Sequence, residues 1–113
     1  IYPLWQMLYP ALLKGFMERV FCKGFAYEFK GNLPTFDKKL KGKSARLIQT
    51  SAMPSLMYRL LSGRYAIRSL ADILRFCGIN PVKATCLGLV ETLSEKRKWK
   101  YIEKIKKLAV YGK

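Results

Sequence analysis

The spacing of apolar positions changes along the chain, and each change predicts an element. Ile1 to Leu4 are apolar and stop at Pro3 and a short turn, the pattern of a strand end. Leu13, Phe16, Met17, Val20 and Phe21 then recur at helical spacing. They predict a helix over residues 10–22, with Pro10 at its first position, where a missing N–H costs nothing. Gly24 ends it. Residues 23–43 carry turn signals at Gly31, Asn32, Pro34 and Gly42 without a sustained period. They predict a long excursion, and loops of that length more often carry function than not.

Residues 45–50 (ARLIQT) are short, apolar and uncapped, as expected of a strand covered on both faces. Ser51 to Pro54 make a strand-to-helix turn. A second helical region reaches Cys77, broken near Ser62-Gly63, with Ile67, Leu70, Ile73, Leu74 and Cys77 on one face and Gly78 as its stop. Asn80-Pro81 turns the chain into a strand over residues 82–90. Thr92 and Glu95 read as a capping box for a last helix that ends near Val110. Trp99, Ile102, Ile105 and Ala109 should face inward there and the lysines outward. The order of elements argues for a parallel sheet with helices packed on both faces.

Composition narrows the chemistry. The 113 residues hold 22 Lys+Arg against 7 Asp+Glu, a formal charge of +15, yet half are hydrophobic, enough to collapse into a core. There is no histidine, which removes Ser-His-Asp triads, Cys-His dyads and His-ligated metals from this chain. Cys22, Cys77 and Cys86 form no C-x-x-C pair and no even set, so a reducing, cytoplasmic setting and small buried thiols are expected, and no metal site. No segment is long and apolar enough to span a bilayer. The densest basic run, Lys96 to Lys107, has seven cations and one acid. It reads as a solvated helix face; a basic nucleic-acid-binding module would favour clustered arginines among exposed aromatics, and it stands as the alternative.

The segment PLWQMLYPALLKGFMERVF (residues 3–21), with GFAY (24–27), LIQTSAMPSLMYR (47–59) and FCGINPV (76–82), resembles the flavodoxin-like NAD(P)H:quinone reductases in the family's own order. The resemblance implies a doubly wound sheet that binds ligands at the carboxyl ends of its strands, where strand order reverses. It also implies FMN or FAD as cofactor, NAD(P)H as hydride donor, a quinone or similar acceptor, and a homodimer. The flavin ring would lie against Pro3, Leu4, Trp5, Gln6 and Met7 on one turn and Thr50, Ser51, Ala52 and Met53 on another, with Tyr58 close behind as the catalytic candidate. Tyr27, Phe29 and Tyr58 would wall the substrate pocket, partly across the dimer interface.

Two departures accompany the resemblance. Gln6 stands where relatives often carry a second aromatic, and Ala52 where they carry an acid or glycine. Seen against the family, the chain starts at the end of the third strand, as the C-terminal part of a single flavodoxin-like domain. The first strands and the phosphate-binding loop are then absent. If three charge-assisted hydrogen bonds hold the phosphate, losing them removes ~5–9 kcal/mol. That weakens binding by a factor on the order of a thousand or more. The expectation is an oxidoreductase whose C-terminal portion binds flavin weakly alone; an inactive remnant is the third reading.

Overall fold

The computed structural model describes residues 1–31 and 35–111. A three-stranded parallel sheet is built from β1 (Tyr2–Pro3), β4 (Ala45–Thr50) and β5 (Val82–Leu87), in that spatial order. Tyr2 lies opposite Gln49 and Pro3 opposite Thr50, while Ala45 to Thr50 run beside Val82 to Leu87 without a slip. Helices α1 (Ala11–Val20), α2 (Ser55–Ser62), α3 (Tyr65–Phe76) and α4 (Glu95–Val110) connect and flank the strands. Pro10, extended at φ −56° and ψ 146°, immediately precedes α1. Gly63, at φ 56°, makes the predicted break between α2 and α3.

The core lies where α1 and α3 cover one face of the sheet. Tyr2, Met17, Leu70, Leu74, Cys77 and Ile79 are buried together, with Leu13, Leu47, Ile73 and Val82 packed against them. Successive strand residues point to opposite faces. On the other face Arg46 and Ile48 meet Ile105, Leu108 and Ala109 of α4 across a cavity of about 240 Å³.

Four expectations change. Residues 23–43 are not irregular throughout: β2 (Tyr27–Phe29) and β3 (Phe36–Lys38) pair antiparallel, Tyr27 opposite Lys38 and Phe29 opposite Phe36. Three-residue strands are too short to show a period of two. The turn signals at Asn32 and Pro34 lie outside the described residues. The last strand stops at Leu87, because Leu89 turns to φ 58° and bonds back to Met53. The capping box is absent: Ser94, not Thr92, precedes α4, and the Thr92 hydroxyl bonds the Leu89 carbonyl at 3.3 Å. Finally, α4 buries no residue. Trp99 and Ile102 are 59% and 41% exposed and Ala109 is exposed, so only Ile105 of the predicted inward stripe is partly covered, beside Leu108.

Candidate functional site at the carboxyl ends of the strands

Three connections leave the carboxyl ends of the parallel strands and meet in one rim. The first follows β1. Trp5 and Leu8 exchange N–H···O bonds of 2.8 and 2.9 Å around Gln6 and Met7, which sit at φ 48° and 66°. Two consecutive positive φ angles make this a tight mirror-image turn, a conformation that costs any residue with a Cβ. The turn holds Trp5 outward, with 62% of its surface exposed.

The second connection, Thr50 to Met53, lies directly beside the first. The Leu4 N–H donates to the Thr50 carbonyl at 2.8 Å, and Pro3 is the strand neighbour of Thr50. Ser51 is buried, and its hydroxyl donates to the Met53 carbonyl at 2.8 Å, closing the turn on itself. Ala52 is exposed and Met53 half-buried. The third connection, Gly88 to Val90, packs beneath the second. Ser51 N–H donates to Leu87, Val90 N–H to Ser51 and Leu89 N–H to Met53, at 2.9, 3.1 and 3.3 Å.

These bonds leave a specific remainder. The N–H groups of Gln6, Met7, Ala52 and Met53 have no hydrogen-bond partner among the described residues. Two adjacent turns thus offer an exposed indole and four free main-chain donors. An open groove lined by Leu4, Trp5, Gln6, Leu8, Tyr9, Pro10, Ala11 and Lys14 runs along the outer side of the first turn. Its lysine, Lys14, is tied to Glu18 one turn along α1. Of the nine residues expected at a cofactor ring, Pro3 and Thr50 end β1 and β4 side by side, and the other seven lie in the two connections that follow them.

The other predicted residues sit elsewhere. Tyr58 is fully buried, and its hydroxyl accepts the Ala66 N–H at 3.2 Å, tying α2 to the start of α3. Tyr27 packs edge-on against Phe76 at 5.0 Å and Phe29 at 5.6 Å, while Phe36 stacks on Phe76 at 4.3 Å. Phe76 ends α3, which leads to the amino end of β5, so this aromatic cluster lies at the far end of the sheet from Trp5. One chain does not bring Tyr27 and Phe29 to the rim.

Below the rim, Tyr2 donates to Gln49 Oε1 at 3.1 Å in the buried core. Burial first, then the neighbouring Tyr58, Cys86 and Tyr9, push its pKa upward. Burial likewise raises the Cys77 and Cys86 thiols, with Arg64 opposing it at Cys86 and Lys38 at Cys77. All three cysteines are free, and Cys22 is exposed rather than buried as expected. Sequence reasoning did not single out Gly88 or Leu89; a glycine directly after an apolar strand was the available signal.

A family model for the flavodoxin-like fold matches residues 1–109. The chain belongs to the flavodoxin-like family. It is 38% identical over 104 residues to mouse ribosyldihydronicotinamide dehydrogenase [quinone], covering 86% of this chain and 44% of the relative. It is 26% identical over 113 residues to an uncharacterized NAD(P)H oxidoreductase of Haemophilus influenzae, covering 91% and 51%. Among solved structures, Smu.1420 of Streptococcus mutans superposes with a TM-score of 0.80 at 36% identity, over 96% of this chain and 56% of that one. The NAD(P)H:quinone oxidoreductase of Methanothermobacter marburgensis shares the fold, with a TM-score of 0.74 at 24% identity over 96% and 52%. The chain spans about half the length of the relatives it matches. Among the described residues no helix is long and apolar enough to cross a membrane, and no group of three or more acids and cysteines could hold a metal.

Proposed function

We propose that this chain supplies the ring-binding part of a flavin-dependent NAD(P)H:quinone oxidoreductase. One observation carries the reading: the exposed Trp5 and the free N–H groups of Gln6, Met7, Ala52 and Met53 stand on two turns joined by the Leu4–Thr50 bond. A flat heteroaromatic ring needs an apolar face to rest on and fixed donors for its heteroatoms, and this set fits both needs. Bound FMN or FAD supplies the hydride chemistry between NAD(P)H and a quinone, so no histidine or acid–base pair is required of the chain. Trp5 covers the ring, the four amides orient it, and Ser51 fixes the second turn. The names of the relatives, a quinone dehydrogenase and an NAD(P)H oxidoreductase, support the same reaction class.

Three further statements belong to this reading. Tyr58 acts from behind the second turn by holding α2 against α3. Tyr27 and Phe29 reach a ring only from a second copy of the chain, so the working form is a homodimer with those aromatics walling the quinone pocket. The flavin phosphate is gripped by polypeptide corresponding to the remainder of the relatives, in a cytoplasmic protein.

Equilibrium dialysis against riboflavin and FMN, followed by NAD(P)H oxidation with a quinone, tests the reading. Riboflavin and FMN should bind alike, with slow turnover that rises when the remaining half is added as a separate chain. Tight FMN binding with full turnover by the chain alone would overturn the division of labour. Absence of riboflavin binding would overturn the flavin assignment.

A further inference from the structure

We propose that Gly88 is a positioning residue: the connection from Gly88 to Val90 clamps the turn Ser51–Met53 and fixes where the Ala52 and Met53 N–H groups point. The functional meaning of the clamp rests on the flavin reading above. Its geometry does not.

Gly88 is buried at the end of β5, against the start of α2. A Cβ built there falls 2.6 Å from the Ser55 nitrogen, 2.7 Å from the Met53 oxygen and 3.2 Å from the Pro54 carbonyl carbon. All three are backbone atoms of consecutive residues, which cannot swing aside as the tip of a long side chain can. The requirement is for space rather than for a left-handed φ. With only a hydrogen at residue 88, the β5 connection descends onto the turn and engages it three times. Leu87 accepts from Ser51, Val90 donates to Ser51 and Leu89 donates to Met53.

Which groups are used matters. The clamp and the Ser51 hydroxyl occupy Ser51 N–H, Ser51 C=O and Met53 C=O, and leave Ala52 N–H and Met53 N–H free. The polar groups that hold the turn are thus distinct from the two donors it leaves free. Strain accumulates in the same place. Of the four non-glycine residues with positive φ among the described residues, Gln6, Met7 and Leu89 lie on this rim. Such conformations persist only where the surroundings determine them, and they concentrate at ligand clamps. Small displacements of donors are costly in binding, since a misplacement of about 1 Å can change a rate by on the order of a hundredfold.

The test compares Gly88→Ala with Gly42→Ala by amide NMR of the ligand-free chain and by riboflavin titration. Gly42, unlike Gly88, has a positive φ, of 78°, and open space around it, so its substitution strains the backbone far from the rim. Gly88→Ala should shift the Ala52 and Met53 amide resonances and weaken riboflavin binding on the order of tenfold. Gly42→Ala should lower the melting temperature while leaving both readouts in place. Ser51→Ala, which adds no volume, should move the same two amides to a smaller extent and keeps the test open if Gly88→Ala does not fold. Unmoved Ala52 and Met53 resonances, or moved resonances with unchanged riboflavin affinity, would overturn the proposal. Wild-type chain that fails to bind riboflavin while Gly88→Ala still moves the amides would instead overturn the flavin reading.

Discussion

One hydroxyl joins the first strand of the sheet to the second. Tyr2 donates to Gln49 Oε1 where water has almost no access, so Tyr2→Phe strands a buried acceptor. The substitution should cost about 1–3 kcal/mol at neutral pH, read by urea denaturation. Its pH dependence follows from the raised pKa, caused first by burial. The unfolded phenol titrates near ~10 and the folded one higher, so above that pH the unfolded state binds fewer protons. The stabilising contribution is whole below pH ~10 and is lost as pH climbs toward the folded value. Wild-type stability should therefore fall on the alkaline side, and Tyr2→Phe should flatten that fall. Tyr58→Phe tests a different role. Removing the acceptor of the Ala66 N–H should cost about 1–2 kcal/mol of stability yet leave riboflavin affinity nearly unchanged, as expected of a support behind the turn. Trp5 and Thr50 were legible as residues because a distinctive string surrounds them. Gly88 was not, because the backbone that forbids it a side chain belongs to a turn far earlier in the chain.

At the scale of elements, the buried strand β4 and the break between α2 and α3 followed from apolar runs and a glycine, which are local signals. The hairpin β2–β3 did not, since its order comes from packing Tyr27 and Phe36 onto Phe76 of α3. Its charged edge makes a pH prediction. Asp37 accepts from Lys41 and faces Lys39 and Lys30, which hold its carboxyl below the usual range. A depressed folded pKa contributes order that is present above the unfolded carboxylate value of ~3.9 and lost as pH falls through the folded one. Protection factors at the Lys39 and Leu40 amides, taken against the intrinsic exchange rate at each pH, should fall with acid in wild type and be low throughout in Asp37→Asn. The apolar stripe of α4 was read correctly as a pattern, but burial needs a partner surface. Only Ile105 and Leu108 find one, across the cavity beside Arg46 and Lys83. The lysines stay in solvent, two of them paired with Glu95 and Glu103 on the same helix.

For the whole molecule, strand order β1-β4-β5 sets the functional geometry, because parallel strands in register bring three carboxyl-end connections to one rim. Alternation of strands and helices along the sequence was enough to foresee that sheet. The meeting of the two turns was foreseen only through the family resemblance, since spacing alone cannot say which connections become neighbours. Leu12, Leu60 and Leu61 remain largely exposed, at 87%, 76% and 64%, on a chain half as long as its relatives. Under the proposed function, ring recognition rests on the residues of this half alone. A riboflavin titration followed by flavin fluorescence tests that claim most directly, comparing wild type with Trp5→Ala and Trp99→Ala. Both indoles are exposed, so neither loss disturbs the core. The account predicts saturable binding that Trp5→Ala weakens by about 1–2 kcal/mol, roughly tenfold, and that Trp99→Ala leaves alone. Binding that is absent, or equally sensitive to both tryptophans, would contradict it.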